Sequence, residues 1–302
     1  MRIALFPGQG SLRPGMGLPW RDHPSSVLID EISSVAGVDV RHLVDDADSE
    51  ELVRTDNAQL ATFALSAVVA HAANIDDVDV AIGHSLGEYS ALCFAGILDL
   101  GAATTLVVAR GSAMAEASAA RPGTMAAVLG ADDETLRKVL EAFSSLVVAN
   151  QNAPGQTVVA GSLDDVSALR ERARDFGLKR VMPLEVGGAF HSPLMEPARA
   201  PLEAALASTT FHQGSIPVIA NVDAAQHAGG DVWRTLLLNQ LTGAVQFQAS
   251  VEAVGGHHNE FIELGPGGVL TGLVKRIDTD ATLRTLATPD DVESFKGESH
   301  EH

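Results

Sequence analysis

Residues 78–92, VDVAIGHSLGEYSAL, set a serine between two glycines where an apolar strand meets helix-forming residues. In a G-x-S-x-G sequence the serine occupies a sharp strand-to-helix turn, and side chains on either side would collide unless they are hydrogens; this accounts for Gly83 and Gly87. The helix that follows points its free N–H groups and positive dipole end at the turn, which would stabilise an oxyanion beside Ser85. Ser85 is then either an activated nucleophile or a small residue that lets helix pack on strand. The strand before it and the helix after it favour the nucleophile.

A serine hydroxyl is a weak nucleophile at neutral pH and needs a base, nearly always histidine. The chain has 11 histidines. His84 adjoins Ser85, but neighbours in a sharp turn usually point apart, so it reads as packing or a substrate-side contact. His212, His227, His257 and His258 lie in polar, loop-like contexts, and His300 and His302 in the acidic end of the chain; all six read as surface residues. His191, in GGAFHSPLM, follows a strand and two glycines and precedes Ser192-Pro193, a helix-start signal. A firm framework therefore presents its ring, as base or as a histidine that only adjoins a helix cap. Arg110 lies among apolar and small neighbours in TTLVVARGSAMA. A buried guanidinium calls for a carboxylate, from a substrate or from an internal acid such as Glu116.

Charge narrows the partners. Against 20 Lys and Arg stand 39 Asp and Glu, a formal charge of −19, so a nucleic-acid backbone would be repelled. The single cysteine, Cys93, can make no intrachain disulfide and has no neighbouring metal-ligand set, which fits a reducing compartment. RIALF stops at Pro7-Gly8, too short for a signal-peptide core. LATFALSAVVAHAA, residues 60–73, falls short of the ~20 residues of a membrane span and carries Thr62, Ser66 and His71. The expectation is a buried helix in a cytoplasmic protein, and nothing demands more than a monomer.

Short β-rich runs alternate with longer helical patterns, which predicts a parallel sheet covered by helices. After Arg121-Pro122-Gly123 the rhythm changes. TMAAVLG, DDETLRKVLEAF, LVVANQ, QTVVAG, SLDDVSALRERARDFG and KRVMPLEV read as βαββαβ, the split pattern of a ferredoxin-like module, over residues 124–187. The earlier rhythm then resumes with IPVIANV, DVWRTLLLNQLTG and EFIEL. The expected division is a large α/β domain of residues 1–123 and 188–288, an insert of residues 124–187, and a flexible acidic tail of residues 289–302.

FPGQG, GHSLGEYSAL, the Arg-Gly pair on the following helix, GAFHSPLM, NQL and ELGPGGVLTGLVKRI occur in the order found in malonyl-CoA:acyl carrier protein transacylases. The chain resembles that family, which is similar in turn to the acyltransferase domains of polyketide synthases, from about residue 3 to about residue 286. The resemblance implies an α/β-hydrolase-like large domain with parallel sheet and an inserted ferredoxin-like subdomain. It implies Ser85 as nucleophile, His191 as general base, the backbone carbonyl of Gln240 in place of an aspartate, and an oxyanion hole of the Gln9 and Leu86 amides. Arg110 would read the free carboxylate of malonyl, and the bulk of Phe190 would leave little room for an α-methyl group. Malonyl-CoA is then the substrate and acyl carrier protein the partner that brings the phosphopantetheine thiol, with no resident cofactor or metal, for fatty acid or polyketide synthesis. Many members have Gln where this chain has Leu12. Arg13, Arg121, Lys179, Arg180, Lys275 and Arg276 could form basic spots for CoA phosphates or an acidic carrier. The competing readings are a serine hydrolase, which should lack the arginine and place an acid between Ser and His in sequence, and a non-catalytic carrier-docking subunit.

Overall fold

The computed structural model describes residues 1–299. Among them the strands are β1 (Arg2–Phe6), β2 (Val80–Gly83), β3 (Thr124–Leu129), β4 (Val147–Ala153), β5 (Gln156–Gly161), β6 (Arg180–Pro183), β7 (Gln213–Ile219), β8 (Gln226–Gly229), β9 (Glu260–Leu264) and β10 (Thr282–Leu286). Six form one sheet in the order β10-β9-β1-β2-β7-β8, and four form another in the order β4-β5-β3-β6. The first is parallel except for the β7–β8 hairpin; the second is antiparallel throughout. The chain is an α/β fold.

The central strands β1 and β2 lack polar alternation because both of their faces are covered. Ile3, Leu5, Val80 and Ile82 enter one core with Phe247, Leu270 and Leu273, while Ala4, Phe6 and Ala81 enter the other with Phe63, Leu92 and Leu106. The two strands run in register from Ile3 opposite Val80 to Phe6 opposite Gly83. Their C-terminal ends therefore lie side by side, and the FPGQG and GHSLG turns leave the sheet together.

The helix Thr55–Ala73, which contains the apolar run of residues 60–73, is buried along most of its length and packs on the long helix Leu100–Ala120. No helix among the described residues is long and apolar enough to cross a membrane. The chain leaves the six-stranded sheet after β2 and returns to it at β7, with the four-stranded sheet between. From β3 to β6 it runs strand, helix (Asp133–Ala142), two strands, helix (Leu163–Glu171), strand. Asp132 and Ser162 cap the two helices, accepting the N–H groups of Thr135 at 2.8 Å and Asp165 at 3.2 Å. Their apolar faces meet Ala126, Val128 and Val159 of the sheet in a third core.

The segment expected to be a flexible tail is folded: Pro289–Ser299 is a helix. Thr288-Pro289-Asp290-Asp291 starts it, with the Asp291 carboxylate accepting from the Ala287 and Thr288 N–H groups at 3.0 and 2.8 Å. Val292 and Phe295, one turn apart, bury against the core, and Lys296 Nζ donates to the Ala72 carbonyl at 2.6 Å. Beside these two apolar contacts, the Lys296 bond and an ion pair between Arg284 and Glu298 tie the helix to the body of the fold. The remainder of the expected tail, residues 300–302 with His300 and His302, lies outside the described residues.

Candidate active site

Ser85 follows β2 directly and has φ +54°, a left-handed conformation that costs a non-glycine residue on the order of 1–3 kcal/mol. A Cβ at Gly83 would strike the backbone of Gly87 and Glu88, and one at Gly87 would strike the Phe6 carbonyl. Asn221, just past β7, pins the strained turn. Its Oδ1 accepts the Ser85 N–H at 2.8 Å and its Nδ2 donates to the Gly83 carbonyl at 2.6 Å.

His191 lies 2.7 Å from Ser85 Oγ through Nε2. On its other side Nδ1 is 2.8 Å from the backbone carbonyl of Gln240, at the end of the helix Val232–Gln240. A carbonyl only accepts, so Nδ1 carries the proton and Nε2 is left as the acceptor for the serine hydroxyl. His191 also has positive φ, +57°. The hydroxyl of the next residue, Ser192, donates to the Ala189 carbonyl at 2.6 Å and accepts from Leu194 N at 3.2 Å, which opens the helical turn Pro193–Ala198. Burial, and then the nearby Arg110 charge, push His191 down to about 3 from its ordinary value of 6.5, so the ring is neutral near pH 7.

Arg110 is 1% exposed, within the helix Leu100–Ala120. Its Nη2 donates to Ser85 Oγ at 3.1 Å and to Gln240 Oε1 at 2.9 Å, its Nη1 donates to Gln59 Oε1, and the guanidinium lies 5.5 Å from the Tyr89 ring centroid. No ion pair to Arg110 exists among the described residues, and Glu116 is exposed rather than turned toward it. The cation is held by neutral oxygens and a ring, and its Nε–H has no hydrogen-bond partner among the described residues.

A cavity of about 230 Å³ opens above Ser85 between the two sheets. Gln9, His84, Ser85, Phe190 and His191 line it from one side and Asn150, Asn152 and Val158 from the other; Arg110 does not line it and reaches it from behind Ser85 Oγ. The backbone N–H groups of Gln9 and Leu86 donate to no acceptor among the described residues. His84, kept neutral by burial, donates through Nε2 to Asn152 Oδ1 at 2.9 Å and packs on Phe247. Leu12 is buried in the main core, and Arg13 folds back on the Gly10 and Leu12 carbonyls at 3.0 and 2.6 Å, so it braces the first loop. Arg276 is likewise engaged, by Gln156 and the Pro154 carbonyl. No group of His, Cys, Asp and Glu that could hold a metal ion occurs among the described residues.

Ser85, His191 and Arg110, raised by the residues themselves, and the Gln240 carbonyl, implied only by the family resemblance, lie together in the structure. Sequence reasoning missed Asn221 and the side chains of Gln240, Gln59 and Asn152. Polar amides carry no pattern of their own; Asn221, directly after the IPVIA strand run at a sheet's C-terminal end, was the one with a positional signal.

Residues 4–286 match the model of the acyl transferase domain family, and the chain belongs to that family. Within it, the chain is 39% identical to the malonyl CoA-acyl carrier protein transacylase of Bacillus subtilis (strain 168), over 95% of this chain and 92% of the relative. The solved malonyl-CoA:acyl carrier protein transacylase of Xanthomonas oryzae pv. oryzae superposes with a TM-score of 0.91 at 37% identity, covering 97% of this chain and 96% of that one. A malonyl-transacylase solved in complex with its type II polyketide-synthase acyl-carrier protein superposes equally well, at 0.91 and 32% identity, over 97% and 98% of the two chains.

Proposed function

We propose that this acyltransferase moves malonyl from malonyl-CoA to the phosphopantetheine thiol of acyl carrier protein, for fatty acid or polyketide synthesis in the cytoplasm. The observation that carries the reading is a single oxygen, Ser85 Oγ, flanked by a neutral imidazole nitrogen at 2.7 Å and a buried guanidinium nitrogen at 3.1 Å. We assign the six-stranded unit, residues 1–123 and 188–288, to an α/β-hydrolase-like large domain and residues 124–187 to a ferredoxin-like insert, with the acyl group bound between them.

His191 Nε2 takes the Ser85 proton as Oγ attacks the thioester carbonyl carbon. The charge that develops on the carbonyl oxygen is met by the Gln9 and Leu86 N–H groups. As the tetrahedral centre collapses the C–S bond breaks, and the imidazolium returns its proton to the CoA sulfur. The carrier thiol then gives its proton to His191, attacks the serine ester and leaves as the malonyl thioester, restoring the Ser85 hydroxyl. No resident cofactor or metal enters either half-reaction. Once Oγ is esterified it no longer claims Arg110, whose Nη2 can turn to the malonyl carboxylate. Phe190, 4% exposed at the cavity wall, would crowd an α-methyl group and disfavour methylmalonyl by about 1–3 kcal/mol.

Replacing Arg110 tests the substrate. In Arg110→Ala the rate of malonyl loading should fall about 10–150-fold, the equivalent of a charge-assisted hydrogen bond, while acetyl loading is kept or gained. Competing rates for malonyl and acetyl thioesters measure this. An unchanged malonyl preference would mean that the carboxylate is read elsewhere.

A further inference from the structure

Behind Ser85, away from the cavity, lies Glu88, a carboxylate 1% exposed in the first turn of the helix Gly87–Phe94. Its Oε1 accepts the Asn221 backbone N–H at 2.6 Å, and its Oε2 accepts Gln240 Nε2 at 2.7 Å. Both partners touch the dyad. Asn221 holds the Ser85 turn through its side chain, and Gln240 holds His191 through its carbonyl. Gln240 Nε2 also lies 2.9 Å from the Ser85 carbonyl. Because Arg110 only donates and a carboxylate only accepts, the Gln240 amide has one possible orientation, with Oε1 toward Arg110 and Nε2 toward Glu88.

We propose that Glu88 is a positioning residue: through the Asn221 N–H and the Gln240 amide it anchors nucleophile and base in one network. The inference rests on the reading of Ser85 and His191 as nucleophile and base. Its physical logic is a choice between two ways of burying a cation. An arginine paired directly with an internal acid would have to give up that acid before it could take a substrate carboxylate. Here the Gln240 amide stands between Arg110 and Glu88, so no direct ion pair has to break. Both Glu88 oxygens face N–H donors, so the geometry is built for the ionised form. Burial opposes it: even with the Asn221 bond, the Arg110 charge and the Gln240 bond pulling down, the carboxyl is raised to about 8, so the anchoring rests on the two hydrogen bonds rather than on a full charge near neutrality.

Glu88→Gln keeps the shape, but turns an NH₂ toward one of the two donors. Single-turnover malonyl loading should fall about 10²-fold, the size of effect that small misplacement of reacting groups produces. In protein labelled with ¹⁵N-histidine, the His191 resonances, identified by their loss in His191→Gln, should show the proton on Nδ1 in the parent and a tautomer mixture in Glu88→Gln. Gln240→Met, which cuts the bridge but keeps the backbone carbonyl, should give the same two changes. The double variant should be no slower than the slower single one, because both cut one chain. Loading within twofold of the parent in Gln240→Met, an unshifted His191 tautomer in a folded Glu88→Gln, or losses that multiply in the double variant would overturn the proposal. The tautomer is read without substrate, so this relay stands or falls separately from the assignment of the acylated residue.

Discussion

Ser85 and His191 are each held in left-handed backbone, and the strain at both is countered by named hydrogen bonds: Asn221 at the serine, the Gln240 carbonyl and the Ser192 hydroxyl around the histidine. The chemical result is an imidazole that stays unprotonated well below neutrality. An ordinary histidine loses its acceptor nitrogen as the pH falls through 6.5, whereas His191 is pushed down to about 3. Malonyl loading in a single turnover should therefore stay level from one pH unit above 6.5 to one unit below; a drop centred on 6.5 would contradict the burial of the ring. The same shift bears on stability. A depressed folded value adds stability that is fully present above 6.5 and is lost as the pH falls toward 3, so the parent's advantage in Tm over His191→Gln should shrink on acidification. Ser85 was legible because steric need writes glycines at fixed spacing around it, and Arg110 because a charge amid small apolar residues is conspicuous. Gln240 and Asn221 act as amides wherever the fold brings neighbours to them, and that is invisible in one dimension.

Strands and helices differ in how much of themselves they write into sequence. β1 and β2 are covered on both faces and read as apolar runs, while β9, EFIEL, is buried along most of its length although it carries Glu260 and Glu263. β8 and β10 are the sheet's edges, QHAG and TLRTL, with few apolar residues to bury, and were not foreseen. The helix Pro289–Ser299 was mistaken for a tail because its apolar contribution is confined mainly to Val292 and Phe295; its Thr-Pro-Asp-Asp start was the signal to weigh. Phe295→Ala should lower stability by about 3 kcal/mol, the usual cost of emptying a buried aromatic site, and leave the malonyl loading rate unchanged below the unfolding transition. Denaturant titration of the two proteins measures it, and equal midpoints would mean that the helix contributes nothing.

At the level of the whole chain, the six-stranded sheet supplies the Ser85 turn and the first loop, the segments after β6 and β7 supply His191 and Asn221, and the four-stranded sheet supplies the opposite cavity wall through Asn150, Asn152 and Val158. The α/β alternation was readable from hydrophobic rhythm, but the distance across the cleft depends on contacts far apart in sequence. With 39 acidic against 20 basic residues, the surface opposes both CoA and an acidic carrier at long range, so productive encounters rest on local contacts at the cleft mouth. Arg13 and Arg276, already engaged within the chain, contribute less there than their charge suggests. The most direct experiment mixes the protein with malonyl-CoA, quenches it, maps the acyl group by peptide mass spectrometry, and then chases the loaded protein with phosphopantetheinylated acyl carrier protein or with buffer. A malonyl ester on Ser85, absent from Ser85→Ala and discharged to the carrier thiol far faster than to water, is the predicted result. An adduct on another residue, or discharge to water as fast as to the carrier, would contradict it.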